Sequence, residues 1–577
     1  MKPVRLAASA TAALPRWGLL LLALLYILPG LIGRDPWKSD EAAGFGIMWT
    51  MAHGPLSDWL SPNIIGLAIP DEGPLAFWVG ALCIQMFGPL LGDVLAARVA
   101  NIIFFSLGAS ALWFAAYRLG QRSEAQPMEL AFGGQPEPRD YGRVLADGTL
   151  LIYIGCIGLL QHSHETRAEA LFVSLIACAL YAIVRYLETP GRRSACLIGV
   201  TFGCLTLTRG WIVPLGLFLT LLLFLLCWLR LGIRQIVTHV CAVLLISLAI
   251  PALWLGGAFL TLPDAQKLSD AWMAWNISQI GVPNLGAIRF FLKNSLLFCW
   301  PAWPFALWAV YAWRRQRHDL HIALPLAFII LFTVLALLSP QAEETSLLPL
   351  LPPLALLAAF GLPTMRRGAI NAVDWFSVMA LTACAAFIWI GWIAKQTGWP
   401  AQLAKNALKL APGFQPEINL LALLIATGAT AAWFLLTYWR ISRQPTVLWR
   451  AVVLSSGGVI LCWLLLSTLW LPWINYGKSY VSVAQQIAQQ LPSRETCIDA
   501  HLSPALRASI AYLGNLSFSE PGSSKCDYML LHDRLNRSSR KNDPIVLPET
   551  GSQWQLVWRG RRPADRDERF HLYQRIK

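Results

Sequence analysis

Two Asp-Glu pairs stand in one stretch near the start of the chain: Asp40-Glu41 in RDPWKSDEAAGFGIMW and Asp71-Glu72 in GLAIPDEGPLAFW. A charge beside hydrocarbon costs roughly 2.5–3.5 kcal/mol at mid-helix on insertion scales, so an acid retained there is a functional candidate. Such a carboxylate can accept a proton from an incoming hydroxyl or bind a divalent ion. Each pair is followed by an apolar stretch suited to a helix lying along a membrane surface. An acid in a first helical turn is also favoured by the helix dipole alone. Two pairs in one loop weigh toward chemistry.

A second polar group lies further on. His162, His164, Glu165 and Glu169 are close enough in sequence to meet near one span end. A histidine–carboxylate cluster holds zinc when a further ligand is fixed; otherwise such residues face a cavity. Of the 12 cysteines none forms a CxxC or a Cys/His pair at zinc spacing. Most lie in apolar runs and act there as small hydrophobes.

The elements that must position these groups are membrane spans. The chain of 577 residues is 56% hydrophobic and 14% charged, with a mean hydropathy of +0.52. Soluble domains carry about 25% charged residues, and a soluble chain this apolar would expose aggregating patches. A cytosolic enzyme, a disordered scaffold and a nucleic-acid-binding protein are excluded. Crossing ~30 Å of hydrocarbon takes ~20 helical residues. Stretches of that kind predict an all-α polytopic membrane protein with about 13 transmembrane helices. The domain 1–472 then contains them all, with a first outside loop at 34–91.

The net charge of +14 sits mostly in short clusters between apolar runs. Sorting the short loops by side puts 20 Lys and Arg residues on one face, from Lys2 to Arg450, against 10 on the other, from Arg34 to Lys409. The richer face is predicted to be cytoplasmic. The N-terminus is then inside, and the tail after an odd number of spans is outside. The polar segment 119–147 becomes a cytoplasmic loop without assigned chemistry. Tryptophans at span ends, such as Trp37, Trp303 and Trp473, fit an interfacial belt.

From 473 to 577 charges return and long apolar runs stop. An amphipathic helix at 480–491, strands at 496–499 and 527–531 flanking a helix at 504–513, and a hairpin of 554–558 with 569–575 predict a small α/β domain. Disulfides persist outside the cytoplasm. Cys497 and Cys526 are the only cysteines there and are expected to pair.

Several segments together resemble a known family. SDEAAGFGIMWTM is similar to the Asp-Glu motif that opens the first outside loop of GT-C glycosyltransferases using lipid-phosphate sugars, especially lipid A aminoarabinose transferases and protein mannosyltransferases. PDEGPLAFWVGALCIQMFG, LAARVANIIFFSLGA, HETRAEALFVSLIACALYAIVRY, FGCLTLTRGWIVPL and SLLPLLPPLALLAA resemble later family segments in the family order. The resemblance implies a bacterial inner-membrane enzyme with a periplasmic C-terminal domain. It implies transfer of a sugar from a polyprenyl phosphate to a lipid A, glycan or protein acceptor on the periplasmic face.

Asp40 matches the family's catalytic aspartate and becomes the expected general base, with Glu41, Asp71 and Glu72 orienting the acceptor or holding a divalent metal. Phosphate leaves without a general acid but needs cations nearby. Arg209 matches the lysine of the family's Thr-Lys-Gly turn and can bind two phosphate oxygens; Lys38, Arg98, Arg167 and Lys293 are further expected phosphate ligands. The sequence departs from the family where cations are expected: Ala43 and Gly44 follow the first pair, Glu72 replaces a lysine, and Glu343 and Glu344 precede the Pro-rich span. A lipid-linked-sugar transporter without covalent chemistry is the competing reading. Transporters often carry internal repeats, and no matching halves are evident.

Overall fold

The computed structural model describes residues 4–37, 39–70, 72–131, 133–228, 232–340, 343–443, 447–520, 526–534, 554–565 and 567–576. It is a helical bundle with a small sheet domain at its C-terminal end. Among the described residues, eight helices are long and apolar enough to cross a membrane, or up to nine if the bent pair Leu285–Phe298 and Ala302–Ala312 is one span. The expected figure of about 13 is therefore matched only coarsely. The segments at 16–33 and 211–229 are helical but short, at Arg16–Ile27 and Ile212–Trp228.

Burial sorts these helices into two layers. Ala168–Glu188 and the segment Glu344–Thr364 are mostly covered by protein, whereas Ile233–Thr261, Gly368–Thr397 and Leu420–Arg440 are mostly uncovered. The uncovered surface is leucine-rich: Leu253 is 76% and Leu260 89% exposed. An apolar surface of that extent is stable only against lipid or another apolar body. The inner layer holds Ala168–Glu188 against Asp93–Gln121 and Arg192–Arg209. Alanines and glycines such as Gly108 allow the first of these approaches, because a Cβ there would lie 2.6 Å from Ser174 Oγ.

Segment 119–147 differs from expectation. Its second half is helical, in Pro138–Ile154. Proline suits a first helical turn, and Tyr141, Val144 and Leu145 at helical spacing are buried, so packing extends the helix into sequence that looks polar.

Both helices expected in the first loop form. Ser39–His53 starts with Asp40 and Glu41 in its first turn. Leu75–Leu91 follows Pro74 and stops at Gly92, whose φ of 76° continues no helix. Between them Asn63–Ile64 and Leu67–Ala68 make a short antiparallel hairpin.

The C-terminal domain has a four-stranded sheet in the order Ile498–His501, Tyr528–Arg534, Glu568–Arg575, Trp554–Gly560. The first pair is parallel and the other two are antiparallel. The helix Pro504–Gly514 connects the parallel pair as a crossover must. Val481–Gln490 packs beside it, with Val483, Ala484 and Ile487 buried. Cys497 and Cys526 are joined, with Cα atoms 5.1 Å apart.

This domain is docked on the first loop. Tyr512 lies edge-on to Phe45 and Trp49, at ring distances of 4.9 and 5.7 Å. Ser509 Oγ donates to the carbonyl of Pro36 at 2.6 Å. Buried Arg507 donates to the carbonyls of Ile64 and Ile65. The domain thereby fixes the helix that carries Asp40.

Candidate active site: an acid–arginine chain in one cavity

Asp40 sits at the start of the Ser39–His53 helix with its side chain 56% exposed. Its height over the bundle is set by a close contact one turn on. A Cβ on Gly44 would fall 1.9 Å from the carbonyl oxygen of Thr166, and Thr166 Oγ1 donates to the carbonyl of Glu41 at 3.0 Å. Glycine there lets the helix touch the turn before Ala168–Glu188, and that turn supplies Arg167. Arg167 Nη1 reaches Asp40 Oδ2 at 3.1 Å.

Arg167 has a second partner. Its Nε is 3.1 Å from Glu169 Oε2, and its Nη2 donates to Glu169 Oε1 at 3.2 Å. Glu169 is fully buried in the first turn of the same helix. Arg209, the last residue of Arg192–Arg209, places Nη1 3.4 Å from Glu169 Oε1 and 4.0 Å from Glu72 Oε1. Glu72 is brought there by Gly73, whose N–H donates to the carbonyl of Thr208 at 3.3 Å. A Cβ on Gly73 would lie 1.9 Å from the carbonyl oxygen of Leu207. Asp40, Arg167, Glu169, Arg209 and Glu72 thus form one alternating chain of charges.

All five line a cavity of about 880 Å³. Its other walls come from Trp275 and Gln279, from Phe332 and Leu335, and from Glu343 and Ser346. Ionic and polar side chains share its lining with apolar ones such as Phe172, Phe332 and Leu335, a mixture an amphipathic ligand requires. A neighbouring cavity of about 810 Å³ shares only Pro70 and Ala271 with it. That cavity, lined by Trp49, Asp58, Lys267 and Glu520, contains none of the five residues, so the chemistry is assigned to the first.

The field in the site is uneven. Burial pushes the Glu72 carboxyl up, and like-charged Glu169 adds to this; Arg209 and Arg167 pull the other way, leaving it at about 7. Burial opposes the charge on Arg167, but Glu169 and Asp40 outweigh it and hold the guanidinium firmly protonated.

Other expected site residues lie elsewhere. Glu41 is 1% exposed and points away from the cavity. Its Oε1 accepts from Arg34 Nη2 at 2.5 Å and from Arg98 Nε and Nη2 at 3.1 and 2.9 Å. Arg98 also donates to the carbonyls of Leu31 and Arg34. Neither lines the cavity: consecutive residues on a helix point about 100° apart, so Asp40 faces the cavity while Glu41 turns to Arg34 and Arg98. Lys293 is exposed on Leu285–Phe298 and does not line the cavity. Lys38 and Asp71 lie outside the described residues.

The expected histidine–carboxylate cluster does not assemble as a metal site among the described residues. Among the described residues no group of three His, Cys, Asp or Glu side chains can hold a metal ion. His164 has each ring nitrogen beside a backbone carbonyl, of Leu160 at 2.5 Å and of Tyr26 at 2.9 Å. A neutral ring has one N–H and donates to one of them at a time; burial pushes its pKa down to about 4 and keeps it neutral. His162 is buried near Phe298, Glu165 lies 3.8 Å from Arg167, and Glu169 is engaged by two arginines. Trp275, Gln279 and Phe332 in the cavity wall had no signal in the sequence, because they resemble any residue of an apolar helix.

Two comparisons agree with this architecture. The chain is 26% identical to an undecaprenyl phosphate-α-4-amino-4-deoxy-L-arabinose arabinosyl transferase of Pseudomonas paraeruginosa over 466 residues, 76% of this chain and 74% of that protein. The enzyme of the same name from Pseudomonas aeruginosa is 26% identical over 470 residues, again 76% and 74% of the two chains. No family model matches. The crystal structure of ArnT from Cupriavidus metallidurans bound to undecaprenyl phosphate superposes with a TM-score of 0.65 at 15% identity, covering 96% of this chain and 97% of that one. Its apo form gives 0.62 at 16% identity with the same coverage. The chain has the fold of a GT-C membrane glycosyltransferase.

Proposed function

We propose that the protein transfers a sugar from a polyprenyl-phosphate donor to a hydroxyl of an envelope acceptor, a lipid A, another glycan or a protein, at the periplasmic face of the bacterial inner membrane. The observation that carries this reading is a part-exposed carboxylate, Asp40, paired with Arg167 and linked through Glu169 to Arg209, in one cavity whose lining is part apolar. The relatives' name and the lipid in the ArnT structure supply the donor class. A polyprenyl phosphate needs a cationic seat for its head and an apolar path for its chain.

In the reaction the acceptor oxygen forms a bond to the anomeric carbon, and the bond from that carbon to the phosphate oxygen breaks. The acceptor's proton passes to Asp40, which acts as general base. The electron pair leaves with the polyprenyl phosphate, whose developing charge is met by Arg167 and Arg209. Glu72 stands beside Arg209 and orients the acceptor. The disulfide of the docked domain supports an outside location, with the N-terminus in the cytoplasm.

The test is Asp40→Asn in the full-length protein. Loss of a general base lowers transfer by about 10²–10⁴-fold, read by mass spectrometry of envelope lipids and glycans, while expression is kept. Transfer at the wild-type rate would remove the base from Asp40.

A further inference from the structure

Among the described residues, Glu169 is the one acid paired with both arginines of the site. Its carboxylate is 1% exposed, against 56% for Asp40 and 24% for Glu72. It meets Arg167 along two edges, at 3.1 and 3.2 Å, and Arg209 at 3.4 Å. The part-exposed Asp40 and the half-buried Glu72 each meet one arginine through a single nitrogen: Asp40 takes Nη1 of Arg167 and Glu72 stands 4.0 Å from Nη1 of Arg209. The inner partner is buried and holds both guanidiniums, whereas Asp40 lies open to the cavity.

We propose that Glu169 is a positioning residue that ties Arg167 and Arg209 into one anion seat, and that a donor phosphate entering this seat displaces Asp40 and Glu72 from them. The inference rests on the proposed phosphate role of the two arginines and deepens it. It makes donor binding the event that frees Asp40. Before the donor arrives, Asp40 is held by Arg167 at 3.1 Å. Afterwards the phosphate oxygens occupy Nη1 of Arg167 and the carboxylate is released toward the acceptor hydroxyl. No covalent bond changes in this step; one anion replaces another on the same guanidinium.

Glu72 belongs to the same exchange. The charged groups that face it are Arg209 and Arg167, Glu169 and Asp40. When it is ionised it competes with phosphate for Arg209, and when it is neutral it does not.

The experiment measures binding of undecaprenyl phosphate, without sugar, to the full-length protein in detergent micelles from pH 5.5 to 8.5. Asp40→Asn should bind the lipid about two- to fivefold more tightly than wild type, the size of one part-exposed ion pair; equal or weaker binding overturns the displacement. The difference between wild type and Glu72→Gln isolates the Glu72 limb from the phosphate's own ionisation. In the Glu169→Gln background that limb should move to lower pH, because a like charge beside Glu72 is gone, and in Glu169→Asp it should stay near the wild-type position. A limb that stays put in Glu169→Gln would leave Glu169 a structural residue only.

Arg167→Ala and Arg209→Ala separate the two levels. If neither weakens lipid binding, the phosphate assignment itself fails. If both weaken it while Asp40→Asn does not tighten it, the assignment stands and the exchange is wrong.

Discussion

Arg98 sends both its Nε and its Nη2 to the same oxygen of Glu41, at 3.1 and 2.9 Å, and both side chains are 1% exposed. This pair, next in sequence to Asp40, the carboxylate proposed as the base, is a brace. It anchors the Ser39–His53 helix to Asp93–Gln121 while Asp40 turns to the cavity. A brace of this kind should show in stability before it shows in chemistry.

Glu41→Gln leaves a buried guanidinium without its counter-charge, which costs about 3–5 kcal/mol. Burial opposes the Glu41 charge, but Arg34 and Arg98 outweigh it and hold the carboxyl below its ordinary value of 4.5. Its stabilisation is present above that value and is lost as pH falls through the lowered one. Thermal unfolding in detergent should show a large drop for Glu41→Gln near pH 7 and a smaller difference from wild type in acid. An equal Tm at pH 7 would contradict the brace.

Glu72 gives the opposite dependence. Its carboxyl lies at about 7 against an ordinary 4.5, so between those values the folded protein holds a proton that the unfolded chain has released. Stability therefore falls as pH rises through that window. Glu72→Gln removes the ionisation, so its Tm relative to wild type should rise from pH 5 to pH 8. A constant difference across that range would show that the carboxyl is not raised.

Gly73→Ala tests how Glu72 is placed. A methyl group 1.9 Å from the carbonyl oxygen of Leu207 forces the loop away from the end of Arg192–Arg209, with an overpacking cost of about 1–3 kcal/mol. Transfer should fall at least tenfold while the C-terminal domain, far along the chain, keeps its disulfide. Wild-type transfer in a stable Gly73→Ala protein would mean that the Glu72–Arg209 approach is unimportant.

The bond between Cys497 and Cys526 closes a loop spanning 29 residues. Replacing both cysteines by serine should destabilise the domain by about 2–4 kcal/mol, seen as faster proteolysis of the region after residue 473. A non-reducing peptide map of the wild-type protein should contain the linked pair, and free thiols there would contradict an oxidising location.

The sequence by itself determined the medium and the elements. Long apolar runs with few charges can be stable only as helices in lipid, and the two stretches after the Asp-Glu pairs became the helices Ser39–His53 and Leu75–Leu91. The strands, crossover helix and hairpin after residue 473 were legible because their alternation and punctuation are local. Asp40 and Arg209 could be singled out as charges near hydrocarbon.

Only the tertiary structure decided which charges meet. Glu41 and Arg98 look as functional as Asp40 and Arg167 in the sequence, since all are charges at helix starts. Packing turns the first pair into the interior and leaves the second in a cavity. His164 looks like a metal ligand until backbone carbonyls stand at both its nitrogens. The physical reason is that a long-range Coulomb partner is chosen by distance after folding. Glu72, Glu169 and Arg209 come from three separate segments, and close backbone contact at Gly73, invisible to any periodicity, brings the first within reach of the others.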